Sequence, residues 1–172
     1  NPVSCRVMGW SPFIPGKADD SGLPAAAVEY TFRNTSLDEV EAVFSFHAQN
    51  FMQQAESGAR VERTERGFIL RQDDPECPPE RGCACGSASP EGAFSIETNA
   101  EKPAIDAAWF RGGWFDSVTM VWKTIEAGKT RDAEPPKEGA PSPGGSIYVP
   151  FRLAPGEERV VTVRFNWYVP NS

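Results

Sequence analysis

The chain has little of what most chemistry needs. Histidine occurs once, at His47, so no pair of imidazoles can hold a metal or relay a proton. Lys and Arg total 17 against 24 Asp and Glu, a net charge of -7, which argues against nucleic acid, whose phosphates need clustered cations. An acidic surface is likewise repelled by anionic lipid heads. No stretch nears the roughly 20 apolar residues that cross a bilayer as a helix, so no transmembrane segment is expected. There is no glycine-rich phosphate loop, no HExxH, no GxSxG and no heptad repeat. Nothing in these 172 residues calls for a cofactor or a metal, and no residue is singled out as catalytic.

What is present is a folded β domain. The length suits one domain, residues 1–172, with an ordinary apolar share and many Phe and Trp. Strict alternation marks half-buried strands. Ala26, Val28, Tyr30 and Phe32 share one face, and Val40, Ala42, Phe44, Phe46 and Ala48 repeat the pattern after the Asn34-Thr35-Ser36-Leu37-Asp38 turn. These two strands are expected to form an antiparallel hairpin. A second hairpin is expected at 59–63 and 68–70, turning around Glu65-Arg66-Gly67, with a further strand at 93–98. The last strand puts Val161, Val163, Phe165 and Trp167 on one face, and Phe44, Phe46, Phe165 and Trp167 are expected to form the core between sheets. Only Val118, Val121, Trp122 and Ile125 recur at helical spacing, giving one short helix near 117–127 with Asp116 or Ser117 as its cap and Gly128 as its stop. The fold class is therefore all-β, an antiparallel β-sandwich with one short helix. Residues 131–145, rich in Pro and Gly, read as a mobile loop.

Several groups are candidates for a site. Asp19, Asp20, Asp106 and Asp116 could supply the two carboxylates of a glycosidase, but Asp19-Asp20-Ser21 fits turn chemistry and Asp116 fits a helix cap. Asn34-Thr35-Ser36 matches a glycosylation sequon and equally a turn. Trp109, Arg111, Trp114 and Trp122, with Phe110 and Phe115, are the best candidates for contact with a partner domain or for stacking on a sugar, the alternative being rings that pack the helix onto a sheet. Cys77, Cys83 and Cys85 crowd a loop spanning 72–91 without standard zinc spacing, which leaves a local disulfide, free thiols, or a metal or redox role open; Cys5 lies in a strand.

The order of several motifs carries a family resemblance. Ser11-Pro12-Phe13-Ile14-Pro15 is followed by Asp19-Asp20-Ser21-Gly22-Leu23-Pro24 and an alternating strand. Trp109-Phe110-Arg111-Gly112-Gly113-Trp114-Phe115-Asp116 precedes the helix, and Tyr148-Val149-Pro150-Phe151 leads through Leu153-Ala154-Pro155-Gly156-Glu157 to Phe165-Asn166-Trp167-Tyr168-Val169-Pro170-Asn171. Together they resemble the amino-terminal domain of family 116 glycoside hydrolases, which includes the non-lysosomal glucosylceramidases (bile acid β-glucosidases) and bacterial β-glucosidases. Against that family the Cys-rich loop at 72–91 looks like an insertion. The resemblance implies a β-sandwich that precedes an (α/α)6 barrel, with a Glu nucleophile and an Asp acid/base in the barrel for retaining hydrolysis of a β-glucoside. None of those residues falls in this chain. The expected role is a non-catalytic domain packed against a following catalytic domain. A free-standing carbohydrate-binding module is the alternative.

Overall fold

The structure is a computed structural model that describes residues 2–54, 58–73, 91–114 and 116–170. Among the described residues nine strands form two antiparallel sheets. The larger runs β1(Val3–Trp10), β2(Ala25–Asn34), β9(Glu158–Tyr168), β6(Gly92–Thr98), β5(Gly67–Gln72), β4(Ala59–Arg63), in that spatial order. The smaller is β3(Val40–Gln49), β8(Gly144–Leu153), β7(Ala104–Asp106). A single turn of helix, α1(Ala18–Ser21), lies between β1 and β2, and α2(Ser117–Glu126) lies between β7 and β8. No described helix is long and apolar enough to cross a membrane.

Alternation does what its period requires. Tyr30 and Phe32 of β2, Val161, Val163 and Phe165 of β9, Ile96 of β6, and Phe68 and Leu70 of β5 turn inward to meet Phe44, Ile147, Val149 and Phe151 of the smaller sheet. Ring contacts stitch the sheets together: Tyr30 to Phe44 at 4.8 Å, Phe32 to Phe151 at 5.3 Å and Phe46 to Phe165 at 5.6 Å between centroids. Of the four aromatics expected in the core, Phe44 is buried, Phe46 and Phe165 are partly buried against it, and Trp167 lies at one end, 38% exposed. On this side the smaller sheet, sheet B, ends at Gln49 and Gly144.

Strands 26–34 and 40–48 do not pair with each other. β2 sits between β1 and β9, and β3 pairs with β8, so the Asn34–Asp38 segment is an arch from one sheet to the other. The reason is visible at Asn34, whose side chain is fully buried. Its amide donates to the Asp38 carbonyl at 2.7 Å and to the Leu153 carbonyl at 3.0 Å, and its Oδ1 accepts from the Ser36 amide and hydroxyl. A tight hairpin would leave those groups unpaired. The expected hairpin at 59–63 and 68–70 is present, its second strand extending over Gly67–Gln72, with Val61 opposite Leu70.

The Pro/Gly-rich stretch is held down over much of its length. Ala133 exchanges backbone hydrogen bonds with Ile105 and Ala107, the Asn50 amide donates to the Pro143 carbonyl, and β8 begins at Gly144. Composition suggested mobility, but backbone pairing with a sheet edge does not depend on side-chain type. Strand β8 is central in its sheet yet contains Pro150. Strand β7 stops at Ala104, opposite Tyr148, so no strand waits on that side for the proton that Pro150 lacks.

Candidate functional site

The aromatic segment that sequence singled out divides in two. Trp109 is a core residue, 3% exposed. Its backbone amide donates to Ser142 Oγ at 2.9 Å and its indole Nε1–H to Ser146 Oγ at 2.8 Å. The ring lies so close to β8 that a Cβ on Gly144 would stand 2.7 Å from it, so only glycine fits there. Arg111 spans outward to the carbonyls of Glu138 and Ala140, which fixes the loop beneath it. Trp114 is 92% exposed, and Trp122 and Val118 stand out from α2, which buries only Val121. The helix is capped as its sequence implies: Asp116 accepts from the Thr119 amide at 2.8 Å, and Gly128 follows with φ +62. Two hydrogen bonds from Thr119 hold the exposed Asp116 carboxyl below its usual range. A small cavity of about 200 Å³ separates helix from sheet, lined by Asp106, Trp109, Met120, Val121 and Arg131.

Beneath this segment, the outer face of sheet B gathers a polar cluster that no linear motif announces. Register places His47 opposite Ser146 and Ser146 opposite Asp106. His47 Nδ1 lies 2.8 Å from Ser146 Oγ, and its Nε2 is buried without a partner. Burial lowers the imidazole pKa to about 4. Burial also pushes the Asp106 carboxyl up, against the opposing pull of the Ala108 amide at 3.0 Å and the Arg131 guanidinium at 3.1 Å. Tyr148, raised by burial, packs edge-on to His47.

Serine, histidine and aspartate are thus neighbours, but they do not form a nucleophilic triad. A triad needs a carboxylate on the far nitrogen of the imidazole and an approachable serine. Here Asp106 is committed to Arg131 and the backbone, and Ser146 is fully buried under Trp109. The cluster fastens the backbone at Ala108 and Trp109 to the sheet.

Other carboxylates are equally engaged. A groove of about 440 Å³ beside β4 is lined by Glu62 and Glu134. Burial would raise Glu62, but Arg60 and Arg71 together hold it below its usual range, opposite to what a general acid requires. Glu134 pairs with Arg63. Asp19 and Asp20 lie in α1, where Asp20 pairs with Lys17. A wider groove of about 600 Å³ runs along the outer face of sheet B near the end of α2, lined by Glu41, Ser45, Lys129, Tyr148 and Arg152.

The Asn34 sequon resolves in favour of the turn, because the nitrogen that would carry a glycan is buried and donates to Asp38 and Leu153. Cys77, Cys83, Cys85 and Phe115 lie outside the described residues, and Cys5 is an exposed free thiol. Among the described residues no group of three His, Cys, Asp or Glu is placed to hold a metal.

No curated protein is similar enough to the chain to count as a relative. The family model described as beta-glucosidase 2, glycosyl-hydrolase family 116 N-term, matches residues 1–172, in agreement with the motif order and with the two-sheet fold. The chain belongs to the amino-terminal domain family of the family 116 glycosyl hydrolases.

Proposed function

We propose that this domain does no chemistry itself and serves as a structural partner to the catalytic domain of a retaining β-glucosidase of glucosylceramidase type. The observation that carries this reading is the state of its carboxylates. Hydrolysis with retention needs a nucleophile and a proton donor about 5 Å apart across an opening that admits a sugar. Glu62 and Glu134 line one groove, and arginines occupy both. Asp106, whose burial favours the protonated form, is sealed beneath Trp109 and Arg131. The family's carboxylate pair belongs to a helical barrel, so the part left to this unit is to support that barrel.

A second reading has one observation in its favour. Trp114 and Trp122 expose indole faces that could stack on a sugar, as a carbohydrate-binding module would. The two readings separate on one set of measurements. The purified chain should turn over no aryl β-glucoside, should not be retained on an immobilised β-glucan, and should associate one-to-one with the separately produced catalytic part of the enzyme. Retention on the glucan that Trp114→Ala abolishes would replace the structural reading with the module. Turnover lost on mutating Asp106 or Glu62 would refute both.

A further inference from the structure

We propose that the catalytic domain docks on the end of the sandwich where β1 and β9 finish, and not on helix α2. This rests on the structural-partner reading above and adds the face that performs it.

The two ends of the sandwich differ in kind. At the end formed by the Asn34–Asp38 arch and the β8–β9 turn, the surface carries ion pairs around a single exposed large apolar residue of the arch, Leu37. Arg33 pairs with Glu158, and Arg152 pairs with Glu39 and Glu41. At the other end exposed apolar side chains gather on both faces of the larger sheet. Trp10, the last residue of β1, is half exposed beside Ala27. The following loop presents Phe13, 72% exposed, and Leu23. The Pro24 carbonyl then accepts from the Trp167 amide at 3.0 Å, which brings this loop against the end of β9. Trp167 stacks on Phe94, and Phe94 meets the exposed Phe51 with 4.9 Å between centroids. The same loop also carries charge, with Asp20 paired to Lys17 and Asp19 beside it in α1.

These side chains are placed by rigid elements. Trp10 and Trp167 stand on strands, and the loop between β1 and β2 is tied across its own neck, where Ser21 Oγ bonds both the amide and the carbonyl of Ile14. Exposed apolar side chains held this firmly mark a surface that is covered in the working protein. The occupant follows from connectivity. The family unit is an amino-terminal one, and β9 carries the backbone out through this patch, with Tyr168 and Val169 exposed at its end. A domain continuing from β9 therefore meets the patch first. Helix α2 offers less, because its exposed apolar residues are Val118 and Trp122 beside Trp114, and Lys123 and Glu126 flank Trp122.

The test is oxidative footprinting of the full-length enzyme by mass spectrometry, with the side chains of this domain as reporters. Protection of Trp10, Phe13 and Trp167 with free oxidation of Trp114 is the expected result. In the same protein Phe13→Ser, a loop change outside every strand, should restore oxidation at Trp167. Protection of Trp114 and Trp122 with free oxidation of Trp10 and Trp167 would overturn the face assigned here and leave the structural-partner reading intact. Free oxidation at both places would overturn both. Protection at Trp10 and Trp167 that vanishes when an oligomer is diluted to monomer would give the patch to a second copy, and that too overturns the proposal.

Discussion

Replacing Asn34 by Asp changes one amide to a carboxyl of the same size and tests the arch that joins the sheets. The side chain is fully buried, and its two N–H donors meet the carbonyls of Asp38 and Leu153. In the variant two lone-pair-bearing oxygens face each other at each of those contacts. Two lost hydrogen bonds at about 1 kcal/mol each, plus a buried Leu153 carbonyl left unsatisfied at about 1–3 kcal/mol, give a loss of about 3–5 kcal/mol at neutral pH. In a domain of this size about 1 kcal/mol moves the midpoint by about 2–4 °C, so thermal unfolding followed by circular dichroism should show a drop of roughly 6–20 °C. The pH dependence has a definite sign. A carboxyl buried against two carbonyls has its folded-state pKa raised above the unfolded value, so the folded variant holds its proton more tightly. Its deficit is therefore largest above the folded pKa and shrinks as the pH falls toward the unfolded carboxylate value, where the protonated acid regains one donor. A variant that melts within 2 °C of the parent at neutral pH, or whose deficit is the same at pH 7 and pH 4, would show that the amide does not clasp the arch.

Further outcomes follow from the same geometry. Trp109→Ala should cost about 3–5 kcal/mol by removing a buried indole, whereas Trp114→Ala should stay within about 0.5 kcal/mol, measured by chemical denaturation; equal effects would contradict their different burial. His47 has a folded pKa near 4 against an unfolded 6.5, so its contribution is undiminished above pH 6.5 and is lost as the pH falls from 6.5 to 4. The shift corresponds to at most about 3 kcal/mol, reduced to about 1–2 kcal/mol because the ring is only partly shielded from water, and His47→Gln should flatten that part of the pH–stability curve. Asp116→Ala should speed amide exchange in the first turn of α2, at Val118 and Thr119, with sheet amides unchanged; unchanged exchange there would mean the cap is idle.

The amino-acid sequence alone determined several of the strands and their apolar faces. Period-two alternation in 26–34, 40–48 and 160–167 is a local property, as are the Asp116 cap and the Gly128 stop of the helix, and all of them appear where they were read. The family, too, was legible in motif order. Strand partners were not, because pairing joins residues far apart in the chain: β2 looked like the mate of β3 until Asn34 closed its hydrogen bonds on Leu153 in the other sheet. Strands β7 and β8 escaped notice because three residues carry no period and because glycines and Pro150 hide the other. The cluster of His47, Ser146 and Asp106 is a product of register across three strands. Burial likewise belongs to the tertiary structure. Trp109 and Trp114 are the same residue type five positions apart, and only the packing of Trp109 against Ser146 of β8 puts one indole inside and leaves the other in water.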